Sequence, residues 1–93
     1  ENSTALTFMD LSANEISDRG ALAIANSPRF ANLKTLDLYN TRISTEGMQA
    51  LLQSKNLKSL EKLILVRNEI DPEKADELAK NQSLPSLRRL ELH

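Results

Sequence analysis

Leucine returns every 27 residues along the chain, at positions 6, 33, 60 and 87. No insertion interrupts this interval, and two further apolar columns keep it. A fixed period of 20–50 residues predicts a repeat architecture in which each repeat is one supersecondary unit. One such unit cannot bury its apolar face alone, so each leucine must pack on its counterpart in the next repeat. The two further columns are Met9, Leu36, Leu63, Leu90 and Leu11, Leu38, Leu65, Leu92.

Each period divides into a short strand and a helix. The spacing LxxLxL predicts a strand that turns two leucines to one face. Good N-cap residues follow the strand in every full repeat, and Pro72 falls at a first helical position, where its missing N–H costs nothing. Apolar residues at helical spacing come next. The expected N-caps are Ser17, Ser44 and Asp71, and the expected helices span 18–26, 45–54 and 72–81.

Two polar columns distinguish the repeats from one another. Asn14 and Asn68 end their strands, where an inward amide can bond backbone groups and form a ladder between repeats. Thr41 is shorter, so it should complete only part of that ladder. At the start of the third helix, Lys74 stands where the earlier repeats have glycine. We expect either a locally wider third repeat or an exposed helix start.

Stacked repeats of this kind define an α/β fold. Strands lie about 4.8 Å apart and packed helices about 10 Å apart, so the stack must curve with the parallel sheet on its concave side. We therefore expect one domain over 1–93, with repeats 6–32, 33–59 and 60–86 and a partial repeat 87–93. We also expect this chain to be part of a longer protein, since neither end shows a polar capping repeat.

These residues resemble the leucine-rich repeat family, in its ribonuclease-inhibitor-like subtype. The motif L-x-x-L-x-L-x-x-N-x-I-x-x-x-G-x-x-x-L-A is followed most closely by LTFMDLSANEISDRGALAIA, and the second and third repeats depart from it at Thr41 and Lys74. The residues of the repeats are more similar to those of bacterial members of the family. The resemblance implies an open right-handed solenoid with helices on the convex face. It also implies a non-catalytic scaffold that binds a protein partner.

Composition narrows the function classes. A net charge of −1 and a pI near 5.8 argue against a general nucleic-acid binder. No apolar run is long enough to predict a membrane span. The chain has no cysteine, which is compatible with a cytoplasmic protein and with a secreted effector, and its lone histidine is His93. We therefore predict no metal, no cofactor and no small-molecule substrate.

The candidate partner-binding residues lie on the expected concave face. Asp10 and Asp37 should stand side by side on adjacent strands. This pair could be a solvated pair screened by Lys34 or Lys62, a contact for a basic group of a partner, or an acid/base pair. No nucleophile or second catalytic group accompanies it, so we predict no enzyme.

Apolar residues should interrupt this polar face. Tyr39, Ile64 and Val66 fall on neighbouring strands, and tyrosine is enriched at the energetic centres of interfaces. Arg67 follows them and completes the candidate set. Another expected feature is a ladder of ion pairs along the column formed by Lys34, Glu61 and Arg88.

These residues favour a protein-binding scaffold with polarised charge. The acidic pair lies toward the first repeats, whereas most basic residues of the face lie toward the last. We expect a partner with an apolar anchor between basic and acidic groups. Two alternatives stay open: a structural spacer within a larger protein, and a regulator or adaptor of the GTPase-activating or ubiquitin-ligase-adaptor type.

Overall fold

The computed structural model describes residues 6–92, which form one parallel sheet backed by one layer of helices. His93 therefore lies outside the described residues. The sheet has the order β1-β2-β3-β4, and Leu36 lies opposite both Met9 and Leu63. Every pairing thus joins residues 27 positions apart, which confirms the register predicted from the leucine columns. The strands are β1 (Phe8–Asp10), β2 (Thr35–Asp37), β3 (Lys62–Ile64) and β4 (Arg89–Glu91).

One α-helix follows each of the first three strands. The three predicted helices are confirmed to within two residues at each end, and Pro72 opens the third as expected. A short 3₁₀ turn, Pro28–Phe30, returns the chain from the first helix to β2. The helices are α1 (Ser17–Ala25), α2 (Thr45–Leu52) and α3 (Pro72–Lys80).

The helix starts differ in how they are capped. Ser44 and Asp71 accept hydrogen bonds from the backbone N–H two residues on, as predicted. The prediction for Ser17 is wrong, because the cap residue is Ile16 and no side chain caps α1. Instead the carbonyl of Thr41 accepts the N–H groups of Ile16 and Ser17 at 3.1 and 2.9 Å. The neighbouring repeat therefore holds the entry to α1, with Ser17 at a φ of 65°.

The hydrophobic core is centred on the middle of the stack. Leu36 and Leu63 are fully buried, whereas their counterparts Met9 and Leu90 are only half-buried. An inner repeat has a neighbour on both sides, and an outer repeat has one. Leucine burial therefore rises toward the second and third repeats.

Asn68 forms the predicted polar ladder between repeats. Its amide nitrogen donates to the carbonyls of Leu38 and Leu65 at 2.8 and 3.0 Å. Its amide oxygen accepts the backbone N–H groups of Thr41 and Ile43 at 3.0 and 2.9 Å. Thr41 makes the partial contribution expected of it, since its hydroxyl reaches only the Leu38 carbonyl and the Asn68 oxygen.

The first repeat contributes less to this ladder. Asn14 donates to the carbonyls of Leu11 and Ser12, both in its own repeat. The prediction of a ladder is thus confirmed between the second and third repeats, while Asn14 secures only its own turn.

The spacing of the helices explains the glycine column. Asp18 of α1 accepts hydrogen bonds from the backbone N–H and the hydroxyl of Ser44, and a Cβ on Gly47 would lie 2.4 Å from its Oδ1. Glycine therefore lets α2 approach α1. Lys74 is exposed, and α3 packs less closely on α2 than α2 packs on α1. A cleft between them is lined by Thr45, Gln49 and Lys74 among others. The exposed Lys74 and the cleft beside it agree with either expectation.

Candidate binding surface on the concave sheet face

The outward side chains of the four strands form three rows across the sheet. Alternate residues of a strand point to the same face, and parallel pairing sets equivalent positions side by side. The third row lies past the strand ends, where the N–H of Ala13 still bonds the carbonyl of Tyr39, and that of Asn40 the carbonyl of Val66. The rows read Phe8, Thr35, Lys62, Arg89; then Asp10, Asp37, Ile64, Glu91; then Ser12, Tyr39, Val66.

The structure brings together five of the six predicted site residues. Asp37 lies directly opposite Asp10 on one adjacent strand and directly opposite Ile64 on the other. Tyr39 and Val66 are neighbours in the next row, where Tyr39 is 38% exposed and Val66 is half-buried. Polar and apolar groups therefore form one continuous surface.

Arg67 is the residue that does not join the rows. It lies in the turn after β3 at a φ of 62°, and its counterparts Ala13 and Asn40 also have a positive φ. A residue in the left-handed region turns the chain away from the direction of the strand, so Arg67 lies at the edge of the surface formed by the three rows. It is exposed.

Phe8 belongs to this surface, although it is absent from the predicted site. It is 56% exposed, the largest exposed fraction among the large hydrophobic side chains of the described residues. Strand alternation could have found it, because Phe8 precedes Asp10 by two residues and therefore shares its face.

The two aspartates of the second row bond only to their own turns. Oδ1 of Asp10 accepts the N–H of Ser12 at 3.0 Å, and Oδ1 of Asp37 accepts the N–H of Tyr39 at 3.1 Å. Hydrogen bonding from the Ser12 side chain, and then from its backbone, lowers the pKa of Asp10. Within residues 6–92 neither carboxylate forms an ion pair, so the expected screening by a lysine does not occur at ion-pair distance.

The two basic groups of the first row are paired within the sheet. Glu91 lies 3.9 Å from Lys62 and 2.8 Å from Arg89. The predicted ladder of Lys34, Glu61 and Arg88 is wrong, since none of these side chains forms an ion pair in the described part of the chain. These residues precede the strands, and they are joined through their main chains: the N–H of Glu61 donates to the carbonyl of Lys34, and the N–H of Arg88 donates to the carbonyl of Glu61.

Cavities elsewhere offer little for chemistry. One cavity lies at the end of the stack against Leu65, Ile70 and Leu92, and another is the cleft between α2 and α3. Across residues 6–92, no group of three or more His, Cys, Asp or Glu residues could hold a metal ion. None of the described helices has the length and apolar character needed to cross a membrane.

Comparison with known proteins identifies the repeat. The family model described as leucine rich repeat matches residues 2–25 and 31–52. These ranges contain the strand and helix of the first two repeats. No curated protein matches the chain significantly.

Proposed function

Because the chain is a leucine-rich repeat protein, we propose that it is a non-catalytic scaffold that binds a protein partner through the concave face of its sheet. Leucine-rich repeats generally mediate protein–protein interaction, and the family is generally non-catalytic. The interval of 27 residues, with one α-helix in each complete repeat, supports the ribonuclease-inhibitor-like subtype.

The observation that carries this proposal is the exposed apolar area on the sheet. Phe8 and Tyr39 are 56% and 38% exposed on a face that no described helix covers. Ile64 and Val66 lie beside them and add aliphatic area. Aromatic side chains that become desolvated in a complex dominate binding energy, which makes Tyr39 the expected anchor.

Surface plasmon resonance with a partner recovered from lysate tests the proposal. Tyr39→Ala should raise the dissociation rate about tenfold, which corresponds to a loss of about 1.4 kcal/mol. The matched control is Leu22→Ala, because Leu22 is also a large exposed apolar residue, 51% exposed, but lies on α1. Glu77→Lys on α3 is a second control on the convex side.

The controls also define the result that contradicts the proposal. Binding that weakens with Leu22→Ala or Glu77→Lys, and not with Tyr39→Ala, would place the partner on the helices. If no partner is retained by the wild-type chain, the spacer function becomes the better account.

A further inference from the structure

We infer that the partner presents an arginine next to an aliphatic side chain, with the guanidinium over Asp10 and Asp37 and the aliphatic group on Ile64 and Val66. This inference rests on the proposed function, because it concerns the occupant of the same concave surface. It replaces the expectation of a partner with both basic and acidic flanks.

The first argument is charge complementarity across the second row. Asp10 and Asp37 lie directly opposite one another on adjacent strands, which are about 4.8 Å apart. Like charges in this position repel each other, and no Lys or Arg in residues 6–92 pairs with either carboxylate. A cation supplied by a partner would remove this repulsion.

The aromatic neighbours favour arginine over lysine. Phe8 lies two residues before Asp10 and Tyr39 two residues after Asp37, so the rings stand at opposite corners of the acidic pair. A guanidinium offers five N–H donors in a plane and stacks on aromatic faces, whereas an ammonium is a compact and strongly hydrated charge. One arginine can thus bond carboxylates while its faces contact a ring.

The apolar half of the surface, Ile64 and Val66, determines which kind of partner side chain can lie beside the arginine. Ile64 lies directly opposite Asp37 on the next strand, and Val66 is the neighbour of Tyr39. An aliphatic side chain therefore has a site one strand spacing, about 4.8 Å, from the carboxylates.

An acidic partner fits this surface poorly. The cations of the first row, Lys62 and Arg89, already share the carboxylate of Glu91, and Arg67 lies in the turn after β3, outside the rows. An incoming carboxylate or phosphate would have to compete with Glu91 and would meet the repulsion of Asp10 and Asp37. The uncompensated charge beside the aromatic residues is negative.

A random 12-residue peptide library displayed on phage, selected against the folded chain, tests this inference. The enriched peptides should carry an arginine adjacent to or two residues from an aliphatic residue. In calorimetric titrations, the double variant Asp10→Asn, Asp37→Asn should bind a selected peptide at least tenfold more weakly. Asparagine keeps the carbonyl oxygen that accepts each turn N–H, so these turns should persist, and circular-dichroism melting checks the fold.

The matched control is Asp76→Asn, which removes one exposed carboxylate from α3 and should leave the affinity unchanged. Replacing the peptide arginine by glutamine should weaken binding to the wild-type chain and not to the double variant. Affinity of the arginine peptide should also fall as salt is added, because exposed charges are screened.

The contradicting outcomes separate the two proposals. Selected peptides that lose affinity with Tyr39→Ala, yet lack a basic residue and bind the double variant equally well, would overturn the arginine inference and leave the concave binding face standing. Peptides that respond to Leu22→Ala and not to Tyr39→Ala would overturn both. A dimer in sedimentation velocity that dissociates on Tyr39→Ala would identify the occupant as a second copy and overturn the arginine inference.

Discussion

Removal of the Asn68 side chain should strongly weaken the junction between the second and third repeats. The amide bonds three main-chain groups of the preceding repeat: the carbonyl of Leu38 and the N–H groups of Thr41 and Ile43. All three residues are fully buried. In Asn68→Ala the N–H groups of Thr41 and Ile43 lose this partner, because alanine has no polar side-chain atom, while the Leu38 carbonyl still accepts the hydroxyl of Thr41.

The expected loss can be estimated from those two N–H groups. A buried donor or acceptor left without a partner costs about 1–3 kcal/mol. Asn68 itself is half-buried, so water can reach part of the vacated site and keep the total near the low end. We expect a loss of about 2–4 kcal/mol in the free energy of unfolding, from a total of roughly 5–14 kcal/mol for a chain of this length.

Urea unfolding followed by circular dichroism at 222 nm measures this loss. The matched control is Asn14→Ala, which removes the equivalent amide, but one that is exposed and bonds only Leu11 and Ser12 of its own repeat. Asn14→Ala should cost about 1 kcal/mol. Equal unfolding midpoints for the two variants, or a loss below about 1 kcal/mol for Asn68→Ala, would refute the inter-repeat role of this residue.

Three further predictions follow from burial, spacing and charge. Leu63→Ala should lower the free energy of unfolding by about 2–5 kcal/mol, and Lys58→Ala, an exposed change, by less than about 0.5 kcal/mol; equal urea midpoints would contradict the register. Gly47→Ala should cost about 1–3 kcal/mol in thermal melts, because the new Cβ would displace Asp18; an unchanged melting temperature would contradict the close approach. The carboxyl carbon of Asp10 should titrate by NMR with a midpoint below 3.8, so its stabilising contribution is present above that pH and is lost as the pH falls through the lower folded-state pKa. A midpoint at or above 3.8 would contradict the hydrogen bonding from Ser12.

The sequence predicts the sheet and helices well because the 27-residue interval determines which strand residues pair and to which face of the sheet each side chain points. Leu36 can pack against Leu63 in only one register, and a shift by one residue would turn it to solvent. The same interval predicts that Asp10 lies opposite Asp37. Strand alternation then places Tyr39 and Val66 on one surface.

Side-chain pairing could not be predicted in the same way. Glu15, Arg42 and Glu69 alternate in charge along one column, and Arg42 contacts both glutamates at 3.7 and 3.6 Å. The column of Lys34 and Glu61 alternates equally well in sequence and forms no ion pair in the described residues. Which column pairs depends on side-chain direction, and exposed pairs of this kind contribute under about 1 kcal/mol.

The prediction of Ser17 as the N-cap of α1 is wrong for a related reason. A serine before a helix is a good N-cap by local chemistry. Here the carbonyl of Thr41, which lies 24 residues away in sequence, bonds the same backbone segment. Contacts between repeats override a local preference that is correct for Ser44.

NMR chemical-shift mapping shows which face of the chain a bound peptide contacts. The ¹⁵N-labelled chain is titrated with a peptide selected as above, and the shifts of its backbone N–H groups are recorded. The largest changes should occur at Asp10, Asp37, Tyr39 and Val66, with little change at Gln49 on α2. Changes concentrated on α1, α2 and α3, with β1 to β3 unperturbed, would contradict binding through the concave face.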